Sequence, residues 1–423
     1  MFELRCLDLD GASTRSCPVR MASVINLGVL RGLKTLPLRI VSLLDAALGT
    51  VFAGVLWAWA RHRPVQIQEI FSARVGHLAL EPELFWWRRE TDRADTPLVV
   101  FFSQRKVANR ALLNKWRQVL PFGPKWFLAP AFRASGRFKS LALRPTDWPG
   151  DSHRDLRPLD AGGCLWTFDV GEMVRGDKLA RELGIEEGRP YVCLAVRDGA
   201  YLRATDSNRN WSYHDYRDST IANYEQLANR LVDRGYGVIR MGRLVESAFP
   251  PTKPSVIDYA NSPMRSDFLD LWLFAHCAFC ISTSTGMDAL ATIQRRPMGF
   301  VNITSFGGLS VGRNSRLVMF KDLIDVETGQ ALDLLDDRRL EAMRHSNTMQ
   351  IGLMGLAYRE NSAVELDSFA TEVVDLLEGR WQPTPEQIEV EQEFLSRIPG
   401  PLDYTQANFH ISPSWLRSHS QVE

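Results

Sequence analysis

The residues best suited to chemistry form a run of small hydroxyl side chains between an apolar strand and an Ala- and Leu-rich helix pattern. This stretch, Phe279 to Phe300, has the sequence FCISTSTGMDALATIQRRPMGF. The amino end of a helix presents unpaired N–H groups and a partial positive charge, so this corner suits a phosphate or diphosphate. Alternatively, one hydroxyl only caps the helix. The hydroxyl positions and the glycine that follows them are Ser282, Thr283, Ser284, Thr285 and Gly286.

Charged side chains stand at the carboxyl ends of two other predicted strands. Arg197 and Asp198 follow YVCLAV, and GVI leads into Arg240 and Gly242. An arginine fork can bind two phosphate oxygens at once, so we expect Arg240 and the hydroxyl run to neutralise a diphosphate. Asp198 is a candidate catalytic carboxylate. The alternative for Arg197 and Asp198 is a plain ion pair.

The segment between the first of these strands and its helix is long for such a connection. It has the sequence RDGAYLRATDSNRNWSYHDYRDST and contains His214, Tyr216 and Arg217. Connections of this length carry function or move, so these three residues are candidate substrate contacts.

A second candidate group lies earlier in the chain, in the sequence ARVGHLA. Here Arg74, Gly76 and His77 stand between a predicted strand and a predicted helix. A glycine lets a ligand approach the backbone, and the near-neutral pKa of histidine suits a general base. We predict His77 as a catalytic base and Arg74 as a substrate contact, with a purely structural histidine as the alternative.

Alternating strands and helices must position these groups. A strand from Val65 through Phe71, a helix, the strand PLVVFFS and the helix ANRALLNKWRQVL begin the pattern. In the second half, YVCLAV, GVIRM, SVIDYA, AFCIS and PMGFVNI alternate with helices, one of them capped by Ser266. The pattern predicts an α/β fold with a doubly wound parallel sheet, in which ligands sit outside the carboxyl ends of the strands. A linker is expected between Asp151 and Arg189.

Composition limits the class of protein. The 423 residues suggest two or three units with a cleft between them. Acidic and basic residues are equal in number, 50 of each, so no overall field favours nucleic acid. Cys277 and Cys280 form a CxxC pair without a second pair or flanking ligands, so we expect buried small residues rather than a metal or redox site.

An apolar segment precedes the first predicted strand. Ile40 to Ala60 is almost uninterrupted apart from Asp45, and basic residues stand on both sides of it. A run of this length could cross a bilayer. Asp45 argues against a simple crossing, whereas an interfacial helix can turn it to water with Trp57 and Trp59 at headgroup level. Interfacial helix, true span and buried core helix all remain open at this point.

Several of these stretches resemble a family of bacterial glycosyltransferases found with surface-polysaccharide genes. The matching stretches are YVCLAVRDGAYL, HDYRDSTIANYEQLANRLVDRGYGVIRMG, IDYANSPMRSDFLDLWLFAHCAFCISTSTG and ARVGHLALEPELF, within residues 66–306. The family pattern usually has His where Ala195 stands and Asn where Asp218 stands. The resemblance marks Arg265 and Asp267 as substrate contacts in addition to positions already named.

The resemblance implies a GT-B architecture, with two Rossmann-like domains and a nucleotide-sugar donor held mainly by the second. The expected units are an apolar amino-terminal segment (1–64), an acceptor domain (65–170), a donor domain (171–380) and a helical return segment (381–423). The expected activity is sugar transfer from the nucleotide-sugar co-substrate to a glycan or lipid-linked acceptor, with no metal and no other cofactor. The expected location is cytoplasmic or peripheral on the inner membrane. A nucleotide-sugar epimerase and a non-catalytic membrane-attached sugar-binding protein remain as alternatives.

Overall fold

The computed structural model describes residues 46–58, 65–92, 98–135, 155–205, 210–249, 252–345, 347–399 and 402–420. Its main feature is a seven-stranded sheet in which every neighbouring pair runs parallel. The spatial order is β11-β8-β7-β6-β3-β4-β5. The strands are β3 (Tyr191–Ala195), β4 (Gly237–Arg240), β5 (Val256–Ile257), β6 (Phe279–Ser282), β7 (Met298–Ile303), β8 (Ser315–Phe320) and β11 (His410–Ile411).

The strand order reverses beside β3, which has β4 on one side and β6 on the other. The chain builds outward through β4 and β5, then returns to the other side of β3 and builds through β6, β7 and β8. This confirms the predicted doubly wound α/β pattern. Such a reversal opens a crevice at the carboxyl ends of the two central strands, and ligands of open α/β sheets bind there.

Helices cover the large sheet in two groups whose members contact one another. The first group is α7 (Glu225–Asp233), α12 (Ala363–Leu377) and α14 (Pro413–His419). The second group is α5 (Val170–Leu183), α8 (Asp267–His276) and α9 (Ala289–Ile293), together with α2 and α3 of the amino-terminal unit. The remaining described α-helices and strands of this half are α6 (Ala200–Thr205), β9 (Asp322–Asp325), α10 (Asp337–Ala342), α11 (Thr348–Leu353), β10 (Leu356–Arg359) and α13 (Pro385–Ser396).

Among the residues that the structure describes, the amino-terminal unit contains two parallel strands. These are β1 (Val65–Ile70) and β2 (Leu98–Ser103), with helices α1 (46–58), α2 (Val75–Asp92), α3 (Arg110–Val119) and α4 (Lys125–Ala134). Alternate side chains of β2 point to opposite faces, as the strand period requires. Phe101 packs in the core shared with α2, α3 and the large sheet, whereas Phe102 packs against α1 and α4. The division into two domains at residue 170 stays a prediction.

A buried indole replaces a hydrogen bond that is missing inside α2. Pro82 lies inside this helix and lacks an N–H group, so it cannot donate to the carbonyl of Leu78. The Nε1–H of Trp116 in α3 donates to that carbonyl instead, over 2.7 Å. This bond joins α3 to α2 at the carbonyl that Pro82 leaves without a helical donor.

One local prediction changes and another is confirmed. The expected linker between Asp151 and Arg189 contains helix α5, which has a capping box at Asp169 and Glu172 and ends at the left-handed Gly184. The Gly and Pro residues around this helix favour a linker, although the D-x-x-E capping box is the sequence signal of a helix start. Cys277 and Cys280 are fully buried, which confirms the expectation of small core residues.

Only part of the predicted amino-terminal helix lies among the described residues, and Asp45 and Trp59 lie outside them. In the portion that is described, α1 packs one side on the protein and exposes Val51 and Val55 on the other. Among the helices that the structure describes, none is long and apolar enough to span a membrane.

Candidate functional site

A cavity of about 450 Å³ lies at the strand-order reversal. It is bounded by the residues after β3, β4, β6 and β7 on one side and by the start of α2 on the other. Residues from the predicted site that line it are Arg74, Gly76, His77, Arg197, Asp198, Arg217, Gly242, Ser284, Thr285 and Gly286. The structure therefore brings together the two candidate groups that lie far apart in the sequence.

Two glycines allow the walls of the cavity to meet. A methyl group placed on Gly76 would lie 3.1 Å from the carbonyl oxygen of Gly286 and 3.2 Å from its Cα. Backbone therefore lies against backbone at this point, and a side chain at Gly76 would push the start of α2 away from the loop after β6. The contact places His77 next to the hydroxyl loop.

A buried ion pair holds the same two walls together farther from the cavity. Arg295, at the end of α9, has a left-handed backbone conformation with φ of 60°. Its guanidinium donates to Glu83 of α2 over 2.8 Å, and also to the carbonyls of Leu159, Gly162 and Gly163. The Glu83 side chain is fully buried, and this burial raises its pKa while Arg295 opposes the rise. The Arg295–Glu83 ion pair therefore fixes α2, and with it His77, relative to the large sheet.

The hydroxyl run forms a turn around a buried carboxyl group. Ser282 donates to Asp288 over 2.6 Å, and the backbone N–H of Thr285 donates to Ser282. Burial raises the pKa of Asp288 to about 6. Helix α9 begins only at Ala289, and no side chain caps it. The expected helix amino end directly after Gly286 is therefore wrong, because these residues bond within the turn.

Within the turn, Ser284 takes a left-handed backbone conformation, with φ of 57°. A non-glycine residue is rarely found in this conformation, and it turns the Ser284 carbonyl toward Arg217. Arg217 donates to this carbonyl over 2.8 Å. Thr283 is buried and accepts from the backbone N–H of Arg197 over 2.9 Å, which ties β6 to the end of β3.

Two arginines give this corner its positive charge. Arg197 pairs with Asp218 over 3.1 Å, whereas Arg217 donates to the neutral carbonyl of Ser284. Burial lowers the pKa of Arg217, and the charge of Arg197 lowers it further. A guanidinium whose pKa is depressed by a neighbouring cation gains from a bound anion. This corner is therefore suited to phosphate oxygens.

Arg240 is placed differently from the prediction. Its side chain is 1% exposed and lies behind the cavity wall. It donates to the carbonyl of Ser247 over 2.5 Å and lies 3.5 Å from Asp258 and 3.9 Å from Asp198. With both carboxylates around it, Arg240 has no surface for a diphosphate. Its role is to hold the loop after β4.

Asp198 lines the cavity but is already engaged. One carboxylate oxygen accepts from the N–H of Ala200 at the start of α6, and the other accepts from the N–H of Glu246. The carboxylate therefore joins two loops, and these two hydrogen bonds disfavour the predicted proton-transfer role. Gly242 lies beside it in the wall, where a methyl group would lie 2.6 Å from the side chain of Val245.

His77 lies in the first turn of α2, and its Nδ1 is 2.7 Å from the carboxylate of Glu81. Both residues line the cavity. A carboxylate accepts only from a protonated nitrogen, so an ionised Glu81 favours the proton on Nδ1, and in a neutral imidazole Nε2 then keeps its lone pair. Sequence reasoning missed Glu81, although its spacing of four residues on a predicted helix was the available signal.

The other predicted substrate contacts lie outside the cavity lining. Arg265 pairs with the buried Asp270 over 3.2 Å, and Asp267 accepts from the backbone N–H of Arg110, joining α8 to α3. His214 and Tyr216 lie on the 3-10 helix Ser212–Arg217. His214 packs against Tyr213 with ring centroids 4.0 Å apart, and Tyr216 is buried. They position Arg217 at the end of this helix and lie outside the cavity lining.

Within the described ranges, no group of three or more His, Cys, Asp or Glu side chains could hold a metal ion. Transfer without a metal stays a prediction.

No protein-family model matches the chain, and no curated protein matches it. Among solved structures, E. coli ADP-heptose lipopolysaccharide heptosyltransferase II is similar at 16% identity and a TM-score of 0.34, covering 55% of this chain and 83% of that one. The dodecameric iron-containing heptosyltransferase TibC in complex with ADP-D-β-D-heptose is similar at 13% identity and a TM-score of 0.36. The match covers 75% of this chain and 77% of that one. A second structure, of TibC from enterotoxigenic E. coli, is similar at 12% identity and a TM-score of 0.36. The match covers 76% of this chain and 81% of that one. Similarity at this level identifies neither the activity nor the substrate of this chain.

Proposed function

We propose that the protein is a GT-B glycosyltransferase that moves a sugar from a nucleotide-sugar donor to a glycan or lipid-linked acceptor of the bacterial surface. One observation carries the proposal: the cavity at the strand-order reversal joins an anion-binding corner to a histidine–carboxylate pair. The corner consists of Arg197, Arg217 and Thr285, and the pair consists of His77 and Glu81.

The corner would hold the donor phosphates. Two guanidinium groups and a hydroxyl donor can bind the diphosphate and stabilise the negative charge that develops as it leaves. The loop after β7, including Gly308 and Ser310, closes the same space. A cavity of about 450 Å³ falls within the usual range for small-molecule sites, roughly 300–1,000 Å³.

His77 would act on the acceptor. With Nδ1 bonded to Glu81, Nε2 can accept the proton of an acceptor hydroxyl as that oxygen bonds to the anomeric carbon. The bond between the anomeric carbon and the phosphate oxygen breaks, and the nucleoside diphosphate leaves with that bond's electron pair. Glu81 stabilises the imidazolium that forms. This scheme inverts the configuration at the anomeric carbon.

A thermal-shift screen with UDP, GDP, CMP, ADP and dTDP tests the donor site. One nucleotide should raise the melting temperature, because it binds only the native state. The matching nucleotide-sugar should then be consumed, with its sugar recovered on an acceptor. His77→Gln should keep the nucleotide shift and lose transfer by about 10²-fold or more.

The products separate the alternatives. An altered free nucleotide-sugar would indicate an epimerase. Glycan affinity without any nucleotide shift would indicate a sugar-binding protein, and either result would refute the proposed transfer.

A further inference from the structure

Helix α1 has an unusual composition for a helix with one exposed side. Residues 46–58, AALGTVFAGVLWA, include no charged side chain. The inner side packs on the protein through Phe52, Ala53 and Leu56. A helix that is apolar all round is normally covered on every side, whereas a surface helix carries charges on its outer face.

The outer side of α1 is nevertheless exposed and apolar. The exposed fractions are 52% for Leu48, 61% for Val51, 58% for Val55 and 39% for Trp57. Helix α4 continues this surface through Trp126, which is 71% exposed. Its ring centroid lies 6.0 Å from the ring centroid of Phe52. We call Leu48, Val51, Val55, Trp57 and Trp126 the apolar face.

Basic residues accompany the apolar face. Helix α4 has Lys125 at its start and Arg133 near its end, both exposed, and neither α1 nor α4 contains an acidic residue. In the sequence, Arg61 and Arg63 follow α1 closely. Apolar residues with tryptophans and flanking basic residues are the composition that binds anionic lipid surfaces.

We propose that the apolar face inserts into the headgroup region of an anionic lipid bilayer. Because the inner side of α1 packs on the amino-terminal unit, the helix lies along the membrane and does not cross it. Trp57 and Trp126 are placed to sit at headgroup level, where indole groups are favoured. A second copy of the chain fits less well, because a two-fold contact through this face would bring Lys125 and Arg133 of both copies together.

This binding is independent of the proposed transfer, so its test measures association with lipid alone. The full chain should float with vesicles of phosphatidylcholine and phosphatidylglycerol, and float less as salt rises. Val51→Glu/Val55→Glu should weaken binding about tenfold or more, since two charges enter the apolar layer. Lys125→Glu/Arg133→Glu should weaken it about tenfold on anionic vesicles.

A matched control uses two valines elsewhere that are at least as exposed as Val51 and Val55. Val170 and Val174 of α5 are 82% and 65% exposed, and Val170→Glu/Val174→Glu should float like the wild type. Circular dichroism and melting temperature check the fold of each variant. If Val51→Glu/Val55→Glu does not fold, Trp126→Ser at a highly exposed position provides the second test and should also float less.

Three results would overturn the proposal. The first is a wild-type chain that does not float with anionic vesicles. The second is a folded Val51→Glu/Val55→Glu variant that floats like the wild type. The third is a wild-type dimer that does not float and that this variant converts to a monomer in analytical ultracentrifugation, which would assign the face to a second copy.

Discussion

Two arginines near the same edge of the large sheet differ in whether they reach the cavity. Arg240, at the end of β4, has Asp198 and Asp258 near it and is 1% exposed. Arg217 lines the cavity, donates to the Ser284 carbonyl and has Arg197 as well as the more weakly acting Asp288 and Asp218 as charged neighbours. Nearness to this edge of the sheet therefore does not bring an arginine to the cavity: Arg240 is enclosed behind the wall by carboxylates, whereas Arg217 lines the cavity.

The largest effect is expected in the Arg217 region. Arg217→Met removes the guanidinium that the Ser284 carbonyl orients, and kcat/KM for transfer should fall by about 10²–10³. The melting temperature should change little, because the variant also removes the cost of burying that charge. Steady-state transfer assays and thermal unfolding together measure both quantities.

Arg217→Lys is the control for charge, since it keeps a cation without the planar fork, and it should recover part of the activity. Transfer by Arg217→Met at the wild-type rate would contradict the role assigned to Arg217.

The opposite pattern is expected for Arg240. Arg240→Met leaves Asp198 and Asp258 largely buried without their cation, and the free energy of unfolding should fall by about 3 kcal/mol. Chemical denaturation measures this loss. At low temperature the folded fraction should still bind the nucleotide that the screen identifies. A variant with wild-type stability and no nucleotide binding would return Arg240 to the phosphate site.

A smaller effect is expected from Asp288, a buried carboxyl group near Arg217, on the pH dependence of stability. Burial raises the pKa of Asp288 to about 6, with Arg217 opposing the rise. The native state thus holds this proton more tightly than the unfolded chain, so the wild type loses stability as pH rises from about 4 through about 6. Asp288→Asn does not titrate, and its stability relative to wild type should improve by on the order of 1 kcal/mol between about pH 5 and pH 7.

Denaturation curves at these two pH values test the sign. A stability difference that stays constant, or that shrinks toward pH 7, would contradict the assigned burial of the Asp288 carboxyl group.

The pattern of elements was predictable because it is local. The apolar runs, the Ser266 cap of α8 and the buried CxxC pair follow from neighbouring residues, and the structure confirms them. Helix α5 was missed despite its capping box, because the surrounding Gly and Pro residues favoured a linker. The turn around Ser282 was mistaken for a helix start, since its partner Asp288 lies farther along and is buried by distant parts of the chain.

The sequence by itself determined the alternation of strands and helices, the strand ends where polar groups collect and the hydroxyl run after β6. Tertiary structure alone decided which of those groups face the cavity. The order of strands places Arg240 between two carboxylates and Arg217 beside Arg197, and the Gly76–Gly286 contact brings His77 to the same space. Charge compensation and burial depend on groups far apart in the chain, so local patterns do not contain them.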